Sequence, residues 1–338
     1  MCQYGCEFST IQAAVAEAQP GDTVYIEADS YEENLTLDEG VHLVGDRGGK
    51  VILRPDREGR PLITVFPSER EVSIRGLTIS GSAGGAHDRE KGIFPDGIAV
   101  RGGAKIEVRD VILVGNEGCG IRAFEGSVVM IASSSISSNG RGCCFLDESR
   151  GSIDDSRISG NGIFLEGLAN LTVTDSTLSN HNQVGLMLTG SSEVRISGSK
   201  IGTSETGIFL TEESSLRLIG SKVADAGDGI RVDDNGVVEV NESEFSDCTS
   251  GIDARDGGKV SVVRTRISQN DHGISLFDTA ELSLRDPRIA YNDIGIRADT
   301  RSNVTVSGCG VKFFNNFQKD ARGLDPPVLE QIQDRCRD

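Results

Sequence analysis

The chain has no tryptophan, and only 5% of its residues are aromatic. Sugar clefts often rely on aromatic platforms, so this scarcity counts slightly against a glycan enzyme. Basic residues are also short, with 34 Lys and Arg against 52 Asp and Glu and a net charge of −18. That balance argues against nucleic-acid binding and against docking on an acidic membrane surface. A strongly anionic glycan would need calcium or a local arginine patch beside it. No run is long and apolar enough to span a membrane, so no membrane span is expected. Histidine is down to four residues, which leaves few general bases. No CxxC pair or Cys/His spacing suggests zinc. Met1 leads at once into fold-like sequence without a visible secretory signal, and a third reading beside the two functions below is a fragment of a larger surface protein.

What the chain does have is a period. Ten glycine–apolar pairs recur, from Gly97-Ile98 through Gly229-Ile230 to Gly295-Ile296, at intervals of 23, 22, 20 and 23, then 22 five times. A fixed spacing in this range marks a repeat architecture. Each period holds three short alternating segments. In the coil that starts at Gly229 these are strand a (229–232), strand b (238–240) and strand c (244–245). Alternation means that each strand buries one face. Segments this short, separated by Gly, Asn, Asp and Ser, leave no room for a crossover helix. The chain must wind as a solenoid of three-stranded turns, each strand pairing with its equivalent in the next coil at about 4.8 Å.

The buried columns follow from the register. Strand a stacks Ile98, Ile121, Cys143, Ile163, Leu186, Ile208, Ile230, Ile252, Ile274 and Ile296. Strand c stacks Ile136, Ile158, Leu178, Ile201, Val223, Phe245, Ile267 and Ile289. A turn column between c and a is expected at Asn116, Asn139, Asn161, Asn180, Asp225, Asp247, Asn270 and Asn292, because such side chains bond to backbone at tight bends. Ser9 to Gln12 has the pattern of a capping box with Ser9 at the N-cap, which opens a helix over 9–19 that lids the first coil. The domain reading is an N-terminal cap over 1–22, a β-helix over 23–318, and a C-terminal tail over 319–338 with a short helical stretch from Val328 to Cys336.

The N-terminal residues Cys2, Cys6, Phe8, Ile11-Gln12, Ala14-Val15, Pro20-Gly21-Asp22-Thr23-Val24, Tyr31 and Glu33-Asn34, together with the repeats, resemble the right-handed parallel β-helix proteins of the pectin-lyase-like superfamily. The resemblance covers roughly residues 2 to 318. It implies an all-β, single-stranded right-handed parallel β-helix with three short strands per coil and an N-terminal capping helix. It specifies activity hardly at all, since relatives include pectate lyases, pectin methylesterases, polygalacturonases, alginate epimerases and repeat proteins without known activity. The signature runs of those enzymes are absent from this sequence.

The family's enzymes place their chemistry on strand b and its flanking turns. There Arg195, Arg217 and Glu239 fall on consecutive coils. The nearby turns add Asp233, Asp234 and Asp256, and the outward face of strand a adds Arg231, Asp253 and Arg255. The catalytic candidates are Arg217, Asp234, Glu239 and Asp253, with an arginine neutralising a uronate during proton abstraction. Calcium would be the metal for Asp233, Asp234 and Asp256, because it takes six to eight oxygens; no other cofactor is implied. The plain alternative is a ladder of opposite charges on exposed strands. A second trio, His272, Tyr291 and Asp293, lies near one turn.

Strand a's outward column runs Cys144, Phe164, Met187 and Phe209 over four coils, widened by Phe124 and Leu146. A contiguous exposed apolar stripe with charged flanks marks a partner or ligand site. The binding residues are therefore Phe164, Met187, Phe209, Arg231 and Arg195. The elaborated turn from Gly81 to Asp96, which carries His87 to Lys91, is the one long loop and a candidate for function. Cysteines are ambiguous: Cys2 with Cys6, or Cys309 with Cys336, would be disulfides in an exported protein, while Cys143 takes an isoleucine position and reads as a small buried apolar residue.

Two functions from different classes fit. The first is a secreted or cell-surface binding or structural module for carbohydrate or a surface protein. The second is a polysaccharide-acting enzyme, lyase or epimerase more than hydrolase.

Overall fold

The computed structural model describes residues 7–38, 40–68, 70–84, 94–299, 301–307, 311–316 and 319–323. The expected pairings of Cys2, Cys6, Cys309 and Cys336, the loop segment His87 to Lys91, and the stretch Val328 to Cys336 lie outside the described residues. The chain divides into two units, Met1–Leu171 and Thr172–Asp338.

The first unit opens on the one described helix, Ile11–Glu17, which buries Ile11, Ala14 and Val15. Its N-cap is Thr10 rather than Ser9: the Ala13 amide donates to Thr10 Oγ1 at 3.2 Å. The remaining free amides are met from the first coil. The Ile11 and Gln12 amides donate to the two carboxylate oxygens of Glu33 at 2.8 and 2.9 Å. Gln12, expected to close a capping box, instead accepts from the Thr36 amide at 2.8 Å. The Glu33 carboxylate, from another coil, takes the place of the local Gln12 amide, which ties the lid to the coil beneath it.

Every strand pairing among the described residues is parallel. In the first unit the strand-b ladder runs Thr23–Ile26, His42–Gly45, Val72–Arg75, Lys105–Arg109, Val128–Ala132 and Arg150–Asp154. In the second it runs Glu193–Ser197, Ser215–Ile219, Val237–Asn241, Lys259–Val263, Glu281–Arg285 and Asn303–Ser307. The predicted columns stand in register. Ile208, Ile230, Ile252, Ile274 and Ile296 pair in series, as do Val223, Phe245, Ile267 and Ile289. All nine side chains are completely buried. Burial of such a column stabilises by roughly 25 cal/mol per Å² of apolar area. Cys143 lies fully buried in its isoleucine position. In two coils strands c and a merge into single eleven-residue strands, Lys200–Leu210 and Lys222–Val232. The last described strand, Lys319–Arg322, pairs with Ile294–Ala298.

The corners explain the composition. Each regular coil turns three times, and among the described residues a left-handed residue closes most of these turns. After strand a the positions are Glu125, Asp147, Glu212, Asp234, Asp256 and Asp278; after strand b, Asp110, Ser133, Asp155, Asp175, Glu242, Arg264 and Asp286. After strand c they are Gly81, Gly115, Ser138, Gly160, Asn180, Thr203, Asp225, Asp247, Gln269, Tyr291 and Asn315. Gly, Asn and Asp adopt this conformation at least cost, so the demand recurs up to three times per coil.

This corrects the expected turn column. Asn180, Asp225 and Asp247 are the left-handed residues, one position ahead of the ladder. The ladder proper is the next residue: Asn116, Asn139, Asn161, His181, Ser204, Ala226, Cys248, Asn270, Asn292 and Asn316. In the first unit the Asn116 amide and Nδ2 both donate to Asn139 Oδ1 at 3.0 and 2.9 Å. In the second, Asn270 does the same to Asn292 at 3.1 and 2.9 Å.

Candidate functional site

Strand a of the second unit carries the densest chemistry among the described residues. Its outward row reads Met187, Phe209, Arg231, Asp253, Ser275 and Arg297 by Cα register. Alternation puts these side chains opposite the isoleucine column. Two residues further on, backbone bonds continue the ladder through Asp233, Arg255 and Phe277. On the other side of the row, Asp228, Ser250 and His272 are register partners. The result is a grid of three columns on one face.

The charges interlock. Arg231 donates from Nε and Nη2 to the Asp233 carboxylate at 3.1 and 2.8 Å. Arg255 donates to both oxygens of Asp253, at 2.5 and 3.2 Å. Asp253 is only 3% exposed, so its charge depends on that fork. The guanidiniums lie against rings: Arg231 over Phe209 at 5.4 Å, and Arg255 and Arg297 over Phe277 at 5.0 and 5.3 Å. Burial first, and the nearby Asp253 charge second, push the Asp228 carboxyl up to about 6, against the pull of Arg231 and Arg255. The Asp228 carboxyl therefore sits beside an arginine-held carboxylate, with the buried hydroxyls of Ser250 and Ser275 3.3 Å apart on neighbouring strands.

A model of the right-handed β-helix region matches residues 63–206 and 206–318. The chain belongs to the right-handed β-helix family. No curated protein sequence matches it. Solved structures that share the fold include a periplasmic alginate epimerase, AlgG, at 11% identity and TM-score 0.61 over 94% of this chain and 83% of that one. The mannuronan C-5 epimerase A-module of Azotobacter vinelandii is 14% identical at TM-score 0.55, over 94% and 93%. The catalytic domain of a GH87 α-1,3-glucanase in complex with nigerose is 14% identical at TM-score 0.56, over 88% and 66%.

Within this β-helix the sequence candidates fall on different surfaces. Arg217 and Glu239 are Cα partners on strand b, joined at 2.8 Å from Nε and each about half exposed. Arg195 stands beside Arg217 in register. Asp253 is on the strand-a sheet instead, so the four catalytic candidates do not share one face. Asp234 occupies the turn, where it accepts from Thr211 Oγ1 at 2.5 Å and the Glu212 amide at 3.3 Å; these bonds hold its carboxyl below the ordinary range. Asp233 is taken up by Arg231, and Asp256 is exposed at its turn. Among the described residues no three His, Cys, Asp or Glu side chains are grouped to hold a metal ion.

The expected open apolar stripe is corrected at its first member. Cys144 is 2% exposed and bonded to Cys119. Phe124 is also buried, while Phe164, Met187 and Phe209 are half-buried. Arg141 lies 4.0 Å over the Phe164 ring. The aromatic faces are thus covered by guanidiniums, not bare. Sequence reasoning missed Asp228 and Phe277. Asp228 directly precedes a repeat glycine, where the next coils carry Ser250 and His272; that loss of pattern was its only signal.

Proposed function

We propose that this chain is a carbohydrate-binding β-helix protein whose glycan surface is the strand-a face of the second unit. The carrying observation is that Arg231, Arg255 and Arg297 lie over the rings of Phe209 and Phe277, at 5.0 to 5.4 Å from the ring centroids. Guanidiniums ordered by ring and carboxylate contacts give planar donors in fixed orientation, which suits the hydroxyls of sugars. Structural neighbours that include alginate epimerases and an α-1,3-glucanase are consistent with this reading. Calorimetric titration against alginate, polygalacturonate and α-1,3-glucan tests it. Wild type should bind one of them, and Phe277→Ala should weaken that binding at least tenfold with the fold intact. Absence of heat with all three, or full affinity in the variant, ends the reading.

A second reading has its own observation. The Asp228 carboxyl, pushed up to about 6 by burial, lies beside the Asp253–Arg255 pair, an arrangement of the kind that supplies a general acid next to an oriented arginine in glycan cleavage or epimerisation. Asp228 would donate the proton and Asp253 would orient Arg255. Asp228→Asn should abolish turnover while sparing binding, measured by ultraviolet absorbance for unsaturated products and proton NMR for epimerised residues. Binding without any turnover by wild type leaves the first reading alone. The Cys119–Cys144 disulfide favours an oxidising, secreted or cell-surface setting. No described helix is long and apolar enough to cross a membrane.

A further inference from the structure

The turn after strand c contains a residue that its position disfavours. Among the described residues eleven coils place a left-handed residue there, and ten of them use Gly, Ser, Thr, Asn, Asp or Gln. The exception is Tyr291, at φ 58°. A bulky aromatic adopts that conformation only at a cost, and the core returns nothing for it, since Tyr291 is 37% exposed. Its ring meets Phe314 edge to face, with centroids 5.5 Å apart. Phe314 is itself 49% exposed. The two rings are the largest exposed aromatic surface described in the second unit.

The ring also borders an open concavity lined by Arg266, Gln269, Asn270, Asp271, Tyr291 and Asp293. Aromatic surface flanked by carboxylates, an amide and one guanidinium is the chemistry that holds a pyranose: the ring face stacks and the polar groups take vicinal hydroxyls. Two carboxylates against one cation favour a neutral sugar over a uronate. His272, which the sequence grouped with Tyr291 and Asp293, is not part of the lining; it belongs to the strand-a grid.

We propose that Tyr291 and Phe314, with Asp271, Asp293 and Arg266, form a second saccharide subsite specific for a neutral hexopyranose. It rests on the carbohydrate reading for its ligand class but uses a different corner of the coil. The absence of tryptophan makes tyrosine emission the direct probe. Full-length protein is titrated with maltotetraose and nigerotetraose while tyrosine fluorescence and melting temperature are followed, for wild type, Tyr291→Asn and Tyr291→Phe. Tyr291→Asn should melt no lower than wild type and lose at least tenfold in affinity; Tyr291→Phe should stay within a few-fold of wild type by calorimetry. A wild type that ignores both oligosaccharides overturns the proposal, as does undiminished affinity in Tyr291→Asn. A Tyr291→Asn protein that melts well below wild type also overturns it, since the ring would then be structural. Phe277→Ala distinguishes the two sites: it should leave this titration unchanged while weakening binding to the strand-a face.

Discussion

The repeat glycines of strand a are fixed by contact, not by backbone conformation. A Cβ on Gly251 would stand 2.6 Å from the Gly273 carbonyl oxygen, and one on Gly207 would stand 2.6 Å from the oxygen of Gly229. Backbone on the far side cannot yield as a flexible side chain can, so Gly251→Ala should cost about 2 kcal/mol or more. Urea unfolding checks it. His181 is a second residue-scale case. It fills a ladder position, is 4% exposed, and neither ring nitrogen meets a hydrogen-bonding group of the protein. Burial lowers its pKa to about 4 from 6.5. The unfolded chain therefore binds the proton first as pH falls. Its contribution is complete above pH 6.5 and is lost on the way down to about pH 4, by roughly 3 kcal/mol in all. Asp228 has the opposite sign: with its folded pKa raised to about 6, it contributes stability at low pH that is lost as pH rises through 6. The difference in urea midpoint between wild type and His181→Asn should thus shift in favour of the variant between pH 7 and pH 4.5. A constant difference would mean the imidazole is not buried neutral.

At the scale of elements, side-chain ladders sew successive coils together at the corners. After strand b the Ser199 amide donates to Ser221 Oγ, and the Ser221 amide to Ser243 Oγ, at 3.1 and 3.2 Å. Each hydroxyl in turn donates to the carbonyl two residues back, as Ser221 does to Ile219 at 2.9 Å. Ser221→Ala would strand a buried amide, at a cost of about 1–3 kcal/mol read from the same unfolding curves. At the a–b turn the acidic left-handed residues form a third ladder: the Gly190 amide donates to Glu212 and the Glu212 amide to Asp234. Much of the chain's acidity at these turns is therefore hydrogen-bonded structure rather than a free surface field. The asparagine ladder lapses at His181, Ser204, Ala226 and Cys248. The Cys248 amide already donates to Asn270 Oδ1 at 3.0 Å. Cys248→Asn would add a side-chain donor to that oxygen and should raise stability by about 1 kcal/mol, visible as a higher melting temperature.

At the scale of the whole molecule, two units of stacked coils depend mostly on neighbour contacts, so local losses of stability need not spread. The Cys119–Cys144 bond, 25 residues apart in sequence, links adjacent strands a within the first unit. Opening it should destabilise that unit by about 2–4 kcal/mol. Hydrogen exchange before and after reduction should report the loss over residues 96–165 and little change over the strand-a grid of the second unit. Equal loss throughout would show that the whole stack unfolds as one.

The coil period, the three strands and the buried isoleucine columns were legible in the sequence because each depends on local alternation and on one spacing repeated many times. The helix was legible too, but not its cap, since Glu33 comes from another coil. Repetition also hid information. Asn180, Asp225 and Asp247 look like ladder residues, and only backbone conformation shows them to be the left-handed residue one place earlier. The disulfide joins Cys119, at the start of one strand, to Cys144, on the outward face of the next, a diagonal that no column predicts. Arg217, Glu239 and Asp253 read as one patch along the chain, yet strands b and a face different ways, so the structure separates them. Asp228 joins Asp253 only because coils stack in register and the turn brings it back to the sheet. Sequence by itself determined what repeats. Tertiary structure decided which non-repeating side chains meet, because a solenoid brings together residues about 22 apart and its corners choose the face.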